Sequence, residues 1–264
     1  MVAPEASPAT LAALVASPRS SGILTDFDGT LAPIVANPAA AEPLADAVEV
    51  LHRLARRYAR VAVVSGRPAR FLAEHLRLAD GNRASGLLAT GLYGLETAVG
   101  DEVTSHPESD QWRPVVSAVA DLAEEQAPPG VFVERKGLSV TLHYRNNPVA
   151  ESWCRRWAVE QAEGTGLRLH PARMSEELRP PIPVDKGTVV ATLASGLQAA
   201  CFLGDDRGDL PAFAALKEIE AAQPGFVAVT VAVRSAEAPV ELLEAADLVV
   251  DGPPGALSLL RTLL

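Results

Sequence analysis

The sequence predicts an α/β core on a mainly parallel sheet, interrupted by a smaller inserted α+β domain. Three observations carry this expectation. Short apolar runs alternate with amphipathic stretches toward both ends of the chain, and that rhythm breaks between residues 104 and 182. The acid-rich and hydroxyl-rich motifs then fall where apolar runs end. Strand, helix, strand, helix is the pattern of a parallel sheet covered on both faces.

Taken in order, Gly22–Phe27 (GILTDF) reads as a short buried strand. Glu42–Tyr58 reads as a helix, because Leu44, Val48, Leu51, Leu54 and Tyr58 recur on one stripe. Arg60–Val64 is a second strand, and Pro68 opens a helix where its missing N–H costs little. The rhythm returns with a helix over Gly187–Leu197, a strand at Ala199–Leu203 and a helix over Leu210–Ala222. Strands at Val227–Val233 and Asp247–Val250 complete it. Between these halves, Trp112–Gln126 and Val149–Glu163 read as helices, and Val131–Arg135 with Leu138–Arg145 as a hairpin. Leu167–Pro171 and Met174–Leu178 add two strands. The chain is therefore expected to leave the core and return to it. Residues 1–103 with 183–264 form the core, 104–182 the insert, and Arg179–Pro183 (RPPIP) a hinge.

Composition bounds the function. The 264 residues carry 33 Asp and Glu against 23 Lys and Arg, a net charge of −10, and 48% are hydrophobic. That much apolar material excludes a disordered chain. The acidic balance argues against nucleic acid as a partner, because a polyanion needs a basic face. No window reaches the roughly 18 apolar residues of a membrane span. Met1–Ser21 lacks a basic segment ahead of an apolar core, so no secretory signal is expected. Cys154 and Cys201 are too few for a disulfide framework and suit a reducing, cytoplasmic setting.

The first strand ends in Asp26-Phe27-Asp28-Gly29-Thr30. Two carboxylates two residues apart face the same way on extended chain, and open α/β sheets bind ligands at the carboxyl ends of their strands. Taken alone, the motif reads first as an Asp-Gly turn with Asp26 capping a helix; the longer pattern, apolar strand, D-x-D-G-T and then Leu31, is what sets it apart. The second strand ends in Ser65-Gly66-Arg67, a phosphate cradle or a helix N-cap. Lys186-Gly187 opens a later helix after Asp185. Gly204-Asp205-Asp206-Arg207-Gly208-Asp209 crowds three carboxylates at a strand end. Their repulsion calls for a hard divalent cation with oxygen ligands, and Mg²⁺ commonly takes one or two carboxylates with substrate phosphate.

In conjunction, D-x-D-G-T, S-G-R, K-G and G-D-D-x-x-D resemble the haloacid dehalogenase (HAD) superfamily of phosphotransferases over about the whole core. The resemblance implies a Rossmann-type core with an inserted cap, and residue roles. Asp26 would be the nucleophile that becomes an aspartyl-phosphate, and Asp28 the general acid and then base. Ser65 and Lys186 would hold the transferring phosphoryl group, with Gly66 and Arg67 completing that substrate-binding turn. Asp26, Asp28 through its backbone carbonyl, Asp205, Asp206 and Asp209 would form the Mg²⁺ site. The division of labour is chemically sensible. A carboxylate attacking a phosphate dianion needs metal and lysine to screen it, and two-step hydrolysis needs a separate proton shuttle.

Leu24–Ile34 (LTDFDGTLAPI), Val63–Pro68 (VVSGRP) and Gly91–Glu96 (GLYGLE) are similar to motifs of the trehalose-6-phosphate phosphatases. So are Glu134–Ser139 (ERKGLS), His143–Arg145 (HYR) and Glu177–Pro180 (ELRP) in the insert. Carried over, Glu134, Lys136, Arg145 and Glu177 would bind sugar hydroxyls and phosphate, while His143 and Tyr144 read as packing residues. The family's G-D-D-x-T-D-E departs here to Gly208 and Leu210, so support around the metal is expected to differ. The implied activity is hydrolysis of trehalose 6-phosphate, with a trehalose-6-phosphate synthase as candidate partner. A sucrose- or glycosylglycerate-phosphate type phosphatase shares the core motifs and differs in the cap. A non-catalytic sugar-phosphate-binding subunit is the reading from another class. It is disfavoured because Asp26, Asp28, Lys186 and Asp205 are all present.

Overall fold

The computed structural model describes residues 8–35, 38–79, 86–172 and 174–264. In chain order the strands are β1 (Ser21–Thr25), β2 (Arg60–Val64), β3 (Leu87–Gly91), β4 (Glu96–Val99), β5 (Glu102–Ser105), β6 (Phe132–Arg135), β7 (Val140–His143), β8 (Arg168–Ala172), β9 (Ser175–Arg179), β10 (Ala199–Gly204), β11 (Val227–Arg234) and β12 (Leu248–Asp251). The helices are α1 (Pro8–Ala16), α2 (Ala47–Arg57), α3 (Ala69–His75), α4 (Arg113–Gln126), α5 (Glu151–Thr165), α6 (Lys186–Ala194), α7 (Leu210–Ala222), α8 (Val240–Ala245) and α9 (Gly252–Thr262). The chain divides into two units, 1–104 with 184–264, and 105–183.

The larger unit holds an eight-stranded sheet in the order β12-β11-β10-β1-β2-β3-β4-β5. From β12 to β3 the neighbours run parallel, and β4 turns back antiparallel to β3. Successive side chains of a strand face opposite sides, so an all-apolar strand feeds two cores. Ile23, Val61, Val63, Cys201, Leu203, Val229 and Val231 pack with Leu14 of α1, Leu51 and Leu54 of α2, Leu72 of α3 and Leu260 of α9. Their neighbours Leu24, Ala62, Val64, Ala200, Phe202 and Ala228 pack with Val190 of α6, Phe213 and Leu216 of α7 and Leu242 of α8. This is the mainly parallel α/β sheet that the patterning predicts.

Several local readings shift. The helix expected from Glu42 starts at Ala47, because Pro43 restricts Glu42 to extended chain and Asp46 turns left-handed at φ 68°. Helix α9, which the patterning does not announce, begins Gly-Pro-Pro-Gly. Both prolines sit in its first turn, where no N–H is needed. Strands β3, β4 and β5 follow one another to one end of the sheet, with β5 its edge strand, and the patterning does not announce them. Of Met1–Ser21, the first seven residues lie outside the described ones, and the remainder includes α1. Among the described residues no helix is long and apolar enough to cross a membrane. Both cysteines are buried and free.

The smaller unit carries an antiparallel sheet in the order β6-β7-β9-β8. Val133, Val140, Leu142, Leu169 and Leu178 pack with Val116, Val119 and Ala123 of α4 and with Cys154, Trp157 and Ala158 of α5. The period of two then places Glu134, Thr141, His143, His170 and Glu177 on the opposite face. One face is thus apolar and helix-covered, and the other polar.

Candidate active site

Because β1 is parallel to both β10 and β2, the carboxyl ends of these three strands meet at one edge of the sheet. The Asp26 N–H donates to the Leu203 carbonyl at 2.8 Å, extending the ladder by one residue. Phe27 is fully buried in the core, and the chain bends there, its carbonyl accepting the N–H groups of Leu31 and Ala32 at 2.8 and 2.9 Å. Gly29 then turns at φ 74°, and a Cβ there would overlap the Asp205 carboxylate. Only glycine meets both demands.

The centre of the site is ionic and buried. Lys186, the first residue of α6, sits 3.0 Å from Asp26 Oδ1 and 2.6 Å from Asp209 Oδ1. Asp185 caps that helix by accepting from the Thr188 N–H at 2.8 Å, which fixes where Lys186 enters. The second oxygen of Asp209 accepts the N–H groups of Asp205 at 2.9 Å and Asp206 at 3.1 Å. Burial opposes the charged amine of Lys186, but Asp209 and Asp26 outweigh it and hold its pKa well above the usual value. Burial raises Asp26 well above the carboxylate range, against the pull of Lys186 and with the push of Asp209, Asp205 and Asp206. Asp209 is raised to about 6, first by burial, with Lys186 opposing.

Among the described residues, Asp26, Asp205 and Asp209 bring carboxylate oxygens within 4.8 Å of one another. Three buried carboxylates against one ammonium leave a net negative pocket of hard oxygen donors. That donor set fits a divalent cation. Asp206 stands outside this trio, its Oδ1 accepting from the Gly208 N–H at 2.8 Å to cap the turn at 207–209.

Ser65, Gly66 and Arg67 follow β2 at the same edge. The Ser65 Oγ accepts the Arg67 N–H at 3.2 Å. The Gly91–Glu96 stretch explains itself here, as a brace under this turn. Leu92 N–H donates to the Arg67 carbonyl at 2.9 Å, and Tyr93 N–H to the Ser65 carbonyl at 3.0 Å. Glu96 accepts the Ala69 N–H at the start of α3 at 3.0 Å. The Tyr93 ring lies so close over Gly66 that any side chain there would collide with it. Leu92 and Tyr93 are both left-handed, at φ 48° and 59°, an arrangement costing about 1–3 kcal/mol per residue unless its surroundings hold it. Arg67 turns its guanidinium to Asp28, with Nε and Nη2 each 2.7 Å from a carboxylate oxygen.

A second polar cluster occupies the polar face of the smaller unit, with Glu177 and Ser139 buried. Lys136 Nζ lies 3.2 Å from Glu177 Oε1 and 3.7 Å from Glu134 Oε2. Ser139 Oγ donates to Glu177 at 2.7 Å, and Arg179 Nε at 3.1 Å. Burial raises Glu177, but Lys136, Arg179 and Ser139 overcome it and bring its pKa down to about 2. His143 bonds Glu134 at 2.8 Å instead of only packing. Register could have shown this, since His143 faces Phe132, two residues from Glu134 on the same face of the β6–β7 pair. Tyr144 is buried in the helix-side core, as its reading as a packing residue expects. Arg145 lies two residues beyond the end of β7, half-buried. Ser139 and Arg179 belong to this cluster, and Tyr93 to the turn at Gly66, although motif reading alone singles out none of the three.

A mainly parallel core with an inserted antiparallel unit, and an aspartate cluster at the strand ends, defines the haloacid dehalogenase class of proteins. The family profile described as Trehalose-phosphatase matches residues 24–245. The chain belongs to the trehalose-phosphatase family. It is 36% identical over 219 residues to a trehalose-phosphate phosphatase of Mycolicibacterium paratuberculosis, covering 75% of this chain and 52% of the relative. Against the Mycobacterium leprae protein of that name identity is 32% over 222 residues, covering 76% and 49%. The chain thus spans about half the length of the curated relatives it matches. The fold is that of the C-terminal domain of Candida albicans trehalose-6-phosphate phosphatase, with TM-score 0.77 at 23% identity over 99% of this chain and 98% of that one. An Aspergillus fumigatus trehalose-6-phosphate phosphatase aligns with TM-score 0.65 at 25% identity over 99% and 98%.

Proposed function

We propose that this chain is a metal-dependent phosphomonoesterase that releases phosphate from trehalose 6-phosphate. The observation that carries the reading is the buried Asp26–Lys186–Asp209 cluster beside Asp205 at the strand ends. In the first step an Asp26 oxygen attacks phosphorus. The new O–P bond forms as the bond to the sugar oxygen breaks, and Asp28 gives that oxygen its proton. In the second step Asp28 takes a proton from water as the water oxygen bonds to phosphorus. The Asp26 O–P bond then breaks and the carboxylate returns. Lys186 and Ser65 hold the transferring phosphoryl group, and Asp209 fixes Lys186 and the backbone of Asp205. Asp26 and Asp205 are the carboxylates best placed to hold a divalent cation, Mg²⁺ on this reading, since both oxygens of Asp209 are engaged. Bound there, the cation would neutralise charge on the phosphoryl oxygens.

The insert is read as a specificity cap. Glu134, Lys136, Glu177 and Arg145 suit a disaccharide phosphate, because carboxylates accept from hydroxyls while Lys and Arg meet the anion. The cytoplasm is the compartment, and a trehalose-6-phosphate synthase the partner, that this reading names.

A panel of sugar phosphates assayed for phosphate release tests the substrate. Trehalose 6-phosphate should be preferred, and an equal rate on a sucrose or glycosylglycerate phosphate would reassign it. Exhaustive chelation should remove turnover and added Mg²⁺ should restore it. Full activity in verified metal-free protein would overturn the metal role. Glu134→Ala, Lys136→Ala, Arg145→Ala and Glu177→Ala should each lower kcat/KM on trehalose 6-phosphate by about ten- to a hundredfold, the loss of a charge-assisted hydrogen bond. On p-nitrophenyl phosphate the loss should be much smaller, because the cap contributes binding energy from the non-reacting part of the substrate. Equal losses on both substrates would assign these residues to folding or to the chemical step.

A further inference from the structure

We infer that Arg67 is a positioning residue for Asp28 and not a substrate contact, an inference that rests on the phosphatase reading. A substrate-binding arginine would turn its fork to the anion. Here the fork is occupied by Asp28, with Nε at 2.7 Å from Oδ2 and Nη2 at 2.7 Å from Oδ1. Such two-point pairing fixes the plane of a carboxylate as well as its place. Nη1 donates to the Pro38 carbonyl at 2.8 Å, and the guanidinium carbon lies 4.8 Å from the centre of the Phe71 ring. Phe71 stacks on His75 at 3.8 Å and meets Phe27 edge-on at 5.7 Å. Phe27 is the residue between Asp26 and Asp28, so one aromatic group braces both the strand end and the arginine.

The backbone of Arg67 is held as firmly. Its N–H donates to Ser65 Oγ and its carbonyl accepts from Leu92. Arg67 therefore spans from the turn that holds the phosphoryl group to the side chain that moves the proton. It sets the distance between them. A shift of about 1 Å in a proton-transfer group costs on the order of a hundredfold in rate, without changing how substrate binds.

The test uses p-nitrophenyl phosphate with Mg²⁺, so that only core chemistry is read. Wild-type turnover, lost in Asp26→Asn, is measured first. Its absence in the wild type would count against the phosphatase reading itself, separately from the role of Arg67. Arg67→Lys keeps the charge but lacks the fork. It should lower kcat by about tenfold, and Arg67→Gln by about a hundredfold, with KM falling in step so that kcat/KM stays within about threefold of wild type. Both variants should show a burst of p-nitrophenolate and trapped phosphoenzyme, because this leaving group departs without a proton while water attack still needs Asp28. The double variant Arg67→Lys with Asp28→Asn should be no slower than Asp28→Asn alone. A KM raised tenfold at unchanged kcat, wild-type kcat in Arg67→Lys, or losses that multiply in the double variant would each overturn the assignment. If Arg67→Gln does not fold, Arg67→Lys and the double variant decide.

Discussion

Asp26→Asn should yield a folded protein whose turnover, on the phosphatase reading, falls by at least about 10⁴-fold, because the amide cannot attack phosphorus and no neighbour replaces it. The substitution is nearly isosteric and leaves the β1–β10 ladder bond to Leu203 intact. Asp205 and Asp209 are buried beside Asp26, but Asp209 is tied to Lys186 and to two backbone N–H groups, so it cannot serve as a substitute nucleophile. The charge argument gives the prediction a second arm. In metal-free protein the amide removes one of three crowded buried carboxylates, so the melting temperature should equal or exceed that of wild type. Phosphate release over multiple turnovers, measured with trapping of the phosphoenzyme, checks the first arm, and a thermal melt in chelator checks the second. Sustained turnover would sink the covalent mechanism. A large drop in melting temperature would show that Asp26 holds the fold.

Lys186→Met loses both rate and stability. The amine is 3% exposed and bridges Asp26 and Asp209. Removing one partner of a buried ion pair leaves uncompensated charge and costs about 3–5 kcal/mol. Turnover should fall by about 10²- to 10³-fold, since charge on the transferring group needs its preorganised counterion most in the transition state. The two losses can be separated. Adding Asp209→Asn removes one of the stranded carboxylates and should recover part of the stability but none of the rate. Recovery of rate in that double variant would mean that Lys186 serves only to neutralise Asp209.

What was legible in the chain follows from local physics. Runs such as Ile23-Leu24 and Ala200-Cys201-Phe202 are apolar at successive positions, and only a strand buried on both faces wants that. Glycine and charge directly after such runs mark strand ends, which is why the sequence alone puts Asp26, Ser65 and Asp205 at strand ends. The change from that pattern to an amphipathic hairpin set marks the inserted unit. Short elements were less legible. Glu96–Val99 and Glu102–Ser105 run only four residues each and mix polar with apolar positions, so no continuous apolar run marks them.

By itself, then, the sequence determined the doubly covered sheet, the motif-bearing strand ends and the family, because each is written in residues within a few positions of one another. Tertiary structure alone decided which side chains form ion pairs. Asp28 meets Arg67 across 39 positions, Lys186 meets Asp209 across 23, and Lys136 meets Glu177 across 41. None of these pairings has a periodic signature. They depend on strand order and register, which place distant strand ends side by side. Burial then decides the rest, because an ionic group removed from water must find its partner within a hydrogen-bond length.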